Sequence, residues 1–325
     1  AGSAVLGFLT HAKCAPDHCA EPAPDRDPGA IPRTAGLTNA RLVIALGSTR
    51  ILTEVLGLFT HRTCAANLRI VPAPDFARGA MPRDHDSEQT HEIDMVKKNK
   101  KGSMAERADR HALYEASVQD PESELEFVSE TFETLTGRSL ARIREDFCGT
   151  ANTSAFWVGQ GAHHRAIGVD LDRPTLDWGR EHHLARLSAD QRSRIELIEG
   201  DVLEVDTPKV DAVLAMNFSY YLFTTRETLR RYFERARSAL VDDGILFLDA
   251  FGGYEAHQEL EERTEHDDFT YVWDQADFNP INQHMTCRIH FEFQDGSDWR
   301  DAFVYHWRLW TLPEVREIGR ASCRE

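Results

Sequence analysis

Lysine is nearly absent from most of this chain of 325 residues. Four of its six lysines crowd into Lys97-Lys98-Asn99-Lys100-Lys101, and beyond Met104 only Lys209 remains. Basic residues as a whole are outnumbered, 37 against 54 acidic ones, for a net charge of −17. The deficit is local: residues 1–103 carry 13 basic and 11 acidic residues, leaving 24 against 43 for residues 104–325. A body that acidic repels a phosphate backbone, so no nucleic-acid substrate or partner is expected. No apolar run reaches the roughly 18 residues of a membrane span, and no signal segment heads the chain, so no membrane partner is expected either. The six cysteines (Cys14, Cys19, Cys64, Cys148, Cys287, Cys323) follow no framework spacing. That pattern reads as a reduced, cytoplasmic protein.

Residues 1–94 contain a repeat with a period of 50. Val5–His11 matches Val55–His61, Cys14-Ala15 matches Cys64-Ala65, Pro22–Asp25 matches Pro72–Asp75, and Gly29–Arg33 matches Gly79–Arg83. Two copies rich in Pro, Ala and Gly are too few for a solenoid. The segment is expected to be a disordered or non-native extension, with Met95 or Met104 as the natural start. Its His-x-x-Cys pairs (His11/Cys14, His61/Cys64) lack a Cys-x-x-Cys knuckle, and no metal is expected. At the other end, Glu317–Glu325 resembles a translated sequencing adapter and shows no apolar stripe. The natural sequence is expected to end near Arg316.

The body, 95–316, alternates strand and helix signals. Ser103-Met-Ala-Glu106 has capping-box spacing and opens a helix carrying Tyr114. Asp120-Pro121 opens a second, which Gly137 closes. Strands are expected at 142–147, 165–170, 195–200, 210–217 and 244–250, with helices at 153–160, 174–187 and 225–240, the last capped from Thr224. Such alternation predicts an α/β fold, a parallel sheet with helices on both faces. A charged helix is expected at about 255–265. Three aromatic runs then form an antiparallel flap over about 266–310, turning at Gln294–Ser297.

Ligands in such sheets bind beyond the carboxyl ends of the strands. In Glu145-Asp-Phe-Cys-Gly-Thr-Ala151, Gly149 allows a sharp turn and close backbone approach. Asp170, twenty-one residues on, stands at a strand end where it can accept hydrogen bonds from a ribose diol; Asp201 ends the next strand, where it can accept from an adenine amino group. A dinucleotide oxidoreductase would want Gly-x-Gly-x-x-Gly to seat a pyrophosphate on a helix N-terminus. The turn has one glycine and no basic residue, which favours a nucleoside ligand without phosphate.

These stretches resemble the motifs of class I S-adenosylmethionine-dependent methyltransferases. Glu145-x-Phe-x-Gly149-Thr150-Ala151 resembles their first motif, with Phe147 and Ala151 in place of the outer glycines. Gly-Val-Asp170-Leu171 resembles the ribose-binding strand end, and Gly-Asp201-Val202 the adenine side. Asp211–Phe218 resembles the fourth strand, and Gly244–Asp249 the fifth. The resemblance covers about 104–316 and implies a Rossmann-like fold that binds S-adenosyl-L-methionine and methylates a small-molecule acceptor. It implies cofactor contacts from Tyr114, Glu145, Phe147, Cys148, Gly149, Thr150, Ala151, Asp170, Leu171, Asp201, Val202, Asn217 and Phe218. Asn217, Tyr220 and Tyr221 are the candidates for positioning the acceptor, with His306, Trp307, Arg308 and Trp310 of the flap around them. Cys148 has no basic partner and reads as backbone lining. The two strands that close the family's sheet are missing at the C-terminal end, which predicts truncation and an exposed sheet edge. Two rivals remain: a non-catalytic or alkyl-transferring nucleoside-binding protein of this fold, and an NAD(P)-dependent oxidoreductase.

Overall fold

The computed structural model describes residues 40–47, 57–60 and 102–322. Strands β1 (Ala40–Gly47) and β2 (Gly57–Thr60) precede helices α1 (Met104–Arg107), α2 (Arg110–Val118) and α3 (Pro121–Thr136). The alternating region runs β3 (Arg142–Asp146), α4 (Asn152–Gln160), β4 (Arg165–Asp170), α5 (Arg173–His182), α6 (Ala189–Arg192), β5 (Ile195–Glu199), β6 (Val210–Ala215), α7 (Arg226–Ala239) and β7 (Leu240–Ala250). Four further strands, β8 (Leu260–Glu265), β9 (Phe269–Phe278), β10 (His284–Phe293) and β11 (Asp298–Arg308), precede helix α8 (Leu312–Ser322).

The main sheet has the order β2-β1-β7-β6-β3-β4-β5, and β3 to β7 are parallel. The chain moves outward from β3 through β4 to β5, then returns to β6 on the other side of β3. That reversal puts the topological switch point at the carboxyl ends of β3 and β6. Successive residues of β6 serve opposite faces. Ala212 and Leu214 join a core with α3 and α4, while Val213 and Ala215 join one with α7 and α8. Both faces are therefore covered, as a run of six buried residues requires.

Local signals explain most boundaries. Ser103 and Glu106 make both bonds of the capping box, yet the helix stops after four residues and restarts when Asp109 accepts from the His111 and Ala112 amides. Asp120 caps α3, Pro121 occupies its first turn, and Gly137 ends it at φ 74°. Helix α7 is capped by Thr225 rather than Thr224.

Two expectations are corrected. The edge of β7 is not exposed: β1 lies antiparallel along it, Leu42 opposite Ala250 through Gly47 opposite Ile245, and β2 pairs with β1. Backbone groups along a buried strand need partners, and this segment supplies them. Of the matched repeat stretches only Gly57–Thr60 is described, and the His/Cys pairs lie outside the described residues. The charged stretch 255–265 forms a short 3-10 turn and strand β8, because pairing with β9 outweighs its helical appearance. Helix α8 spans Leu312–Ser322. Val315 supplies the apolar position that the stretch from 317 lacks, and Ile318, three residues on, is buried with it.

Candidate active site

The turn after β3 uses the left-handed region three times within five residues: Phe147 at φ 59°, Gly149 at 55° and Ala151 at 59°. Only glycine takes this conformation freely, so Phe147 and Ala151 keep the shape of a glycine-rich turn at a steric cost. Asp170 holds the turn in place. Its Oδ2 accepts from the Gly149 amide and its Oδ1 from the Asp172 amide, both at 2.8 Å. A Cβ added at Gly149 would meet only Thr175 Cγ2, at 3.9 Å, so the space beside it is open. Leu171, next to Asp170, is 69 % exposed and offers an apolar surface.

Glu145 works behind the turn. It is buried and accepts from the Ser154 amide at 2.9 Å and the Ser154 hydroxyl at 2.5 Å, tying β3 to the first turn of α4. Burial pushes its carboxyl up to about 8, against the pull of the two Ser154 bonds. Asp146 is buried against Arg144, Nε to Oδ1 at 2.6 Å, and accepts from the Tyr232 hydroxyl at 3.0 Å. Burial raises its pKa too, with the Arg144 guanidinium opposing the rise.

Helix α2 crosses this turn. Glu115 accepts a hydrogen bond from the Thr150 hydroxyl and meets His183 Nε2 at 2.7 Å, while Gln119 Oε1 accepts from Asn152 Nδ2 at 3.0 Å. Tyr114 points instead toward the flap, its ring 5.0 Å from that of Phe303. Sequence reasoning missed Glu115 and Gln119. The signal was present only as polar residues one and five positions after Tyr114, on the same short helix and at its C-cap.

At the end of β5, Asp201 accepts from the Leu203 amide at 2.9 Å. The side chain of Val202 lies in the core, 4 % exposed, and its carbonyl accepts from Arg144 at 3.5 Å. Cys148 is also buried, and burial raises its thiol well above the ordinary range.

The turn after β6 is built by a carboxylate from the neighbouring strand. Asn217 and Phe218 both stand at φ 57°, and their amides donate at 2.8 Å to the two oxygens of buried Asp249. Asp249 was visible as the tip of the fifth strand, but its role depends on β6 and β7 being neighbours. Tyr220 and Tyr221, the other two candidates for positioning the acceptor, are completely buried. The Tyr221 hydroxyl donates to the Phe251 carbonyl at 3.1 Å and accepts from its amide at 3.0 Å, fastening the end of β7. Of the four flap candidates, Trp307 alone packs here, edge-on to Phe218 at 6.4 Å and to Tyr221 at 6.0 Å. Trp310 donates to the Phe223 carbonyl at 3.0 Å, Arg308 lies 3.8 Å over its ring, and His306 is exposed and paired with Thr286.

The half-buried carboxylates of Asp170 and Asp201 thus stand at neighbouring strand ends, each accepting from backbone amides. The side chains bonded to the turn after β3 are Glu115, Gln119 and Asp170, none of them basic. Such a site suits hydroxyl and amino donors on a ligand without phosphate.

Neither a family model nor a curated protein matches the chain. Solved structures do resemble it. An S-adenosylmethionine-dependent methyltransferase from Clostridium acetobutylicum superposes with a TM-score of 0.53 at 15% identity, covering 65% of this chain and 85% of that one. CalS10, an amino pentose methyltransferase from Micromonospora echinaspora solved with S-adenosylmethionine bound, gives 0.52 at 15% identity over 65% and 86%. DesVI from Streptomyces venezuelae gives 0.52 at 17% identity over 65% and 87%. With its sheet order, switch point and flap, the chain has the Rossmann-like fold of the S-adenosylmethionine-dependent methyltransferases.

Proposed function

We propose that the protein binds S-adenosyl-L-methionine and transfers its methyl group to a small-molecule acceptor. The observation that carries this reading is the carboxylate of Asp170. It holds the Gly149 turn by one oxygen and the start of α5 by the other, and each oxygen keeps a lone pair for a ribose hydroxyl. Exposed Leu171 suits the flat face of an adenine, and Asp201 suits its amino edge. The open space at Gly149 leaves room for the methionine portion. The fold shared with the methyltransferases above supports the same assignment.

When bound, the sulfonium supplies an activated methyl group. What the chain must contribute is alignment, since in-line displacement disperses charge and needs no strong acid or base. Phe147 and the Asn217-Phe218 turn flank the space between the ends of β3 and β6. The left-handed Asn217-Phe218 backbone is held by Asp249 of the neighbouring strand, which fixes the shape of that side. The acidic body favours a neutral or cationic acceptor over an anionic one.

Isothermal calorimetry tests the reading. S-adenosylmethionine should bind, and Asp170→Ala should weaken binding by about ten- to a hundredfold, the loss of hydrogen bonds to a charged group. A folded protein that binds no S-adenosylmethionine would overturn it.

A further inference from the structure

The inner face of the flap carries an acceptor oxygen that the fold leaves unused. Gln275 on β9 is 1 % exposed. Its Nε2 donates to two carbonyls of the turn after β7, Glu255 and Gln258, each at 3.0 Å. Those bonds use both amide hydrogens and fix which end of the side chain is oxygen. The Oε1 meets no donor among the described residues. A buried acceptor without a donor is uncommon in a native fold and points to a missing partner.

The surroundings indicate the chemistry of that partner. Gln275 stands opposite Cys287, as Tyr305 does from the other side, and Trp273 lies two residues along the same face. Trp273, Tyr305 and Trp307 form a continuous aromatic surface, with ring centroids 6.4, 4.6 and 6.1 Å apart. Trp307 joins it to Phe218 at the end of β6. Opposite Trp273, the same face carries the acid Glu262. Aromatic faces, an amide oxygen and an acid suit a cation that donates hydrogen bonds, and they disfavour a carboxylate or phosphate.

Resting on the methyl-transfer reading above, we propose that the acceptor carries an amino group and that Gln275 binds it against Trp273. The amine arrives as the ammonium ion and reacts as its free base after losing one proton to water. The nitrogen lone pair forms the new N–C bond as the C–S bond breaks, and that bond's electron pair stays on sulfur as a thioether. The methylated ammonium then releases a proton to water. Gln275 Oε1 accepts one N–H throughout and so directs the lone pair toward the strand ends.

Tryptophan fluorescence tests this with benzylamine and its uncharged counterpart benzyl alcohol, titrated into the full chain with S-adenosylhomocysteine present. Benzylamine should quench saturably and bind about tenfold tighter than the alcohol, the scale of a desolvated cation–π contact. Gln275→Met and Trp273→Leu should each bring the two ligands close to parity while S-adenosylmethionine binding is kept. Equal binding in the wild type, saturable quenching by neither ligand, or an undiminished preference in both variants would overturn the proposal. The wild-type comparison decides even where a variant fails to fold. If S-adenosylmethionine binds by calorimetry and benzylamine does not, the amine assignment falls alone; if S-adenosylmethionine does not bind, the reading beneath it falls.

Discussion

The two halves of the site are held by different forces. At the ends of β3 and β4, carboxyl groups clasp the backbone, and the carboxylate of Asp170 holds the Gly149 amide. At the flap, rings pack on rings, from Phe218 through Trp307 to Tyr305 and Trp273. Hydrogen bonds to a charged group are directional and fix one geometry, whereas aromatic contacts tolerate several offsets. On the proposed reading, the first half suits one constant ligand and the second an acceptor whose shape can vary. Asp249 marks the boundary, because it uses the carboxylate device to hold Phe218, the first ring of the aromatic side.

The largest expected effect falls on the charged half. Asp146→Ala strands Arg144, 1 % exposed, without its partner and should cost about 3–5 kcal/mol in urea unfolding. The double change Arg144→Met with Asp146→Leu should recover most of that loss, since a buried ion pair adds little over an apolar pair of similar volume. If the double variant is no better than the single one, the pair is positioning the turn as well as neutralising charge.

A pH series separates the halves next. Glu145 has its folded pKa raised from 4.5 to about 8, so the native state holds a proton that the unfolded chain releases earlier. Its contribution is complete below about pH 4.5 and is lost as pH rises through about 8. Unfolding free energies from urea titrations at pH 5 to pH 8 should fall by an amount on the order of a few kcal/mol through this group, and Glu145→Gln should flatten that slope. On the aromatic side, Tyr221→Phe removes both bonds to Phe251 and should cost about 1–3 kcal/mol, leaving S-adenosylmethionine affinity within about twofold. The smallest effect is expected at Ala151→Gly. Relief of the left-handed strain, about 1–2 kcal/mol, is offset by lost methyl burial and added chain entropy, so stability should move by less than about 1 kcal/mol.

The parts of the site legible in the sequence were those encoded within one strand and the turn after it. Asp170, Gly149 and Asp201 each follow an apolar run, and the run itself predicts the strand end where they stand. Glu115 and Asp249 were not legible as site residues, because each acts on a turn that a different element brings beside it. Tyr220 and Tyr221 carry the same local signal as Asn217. Burial by α7 and the flap separates them, and no spacing rule reports that.

What the sequence determined by itself is the alternation of apolar strands and amphipathic helices, and with it the parallel sheet and its acid-tipped edge. Hydrophobic periodicity is a local property, repeated along the chain, and it survives reading one residue at a time. Only the tertiary structure decided that residues 40–47 pair with β7, that 260–265 is a strand, and that Gln275 keeps an oxygen without a donor. Each depends on which backbone or side chain arrives alongside, and hydrogen-bond partners distant in sequence are set by the packing of the whole.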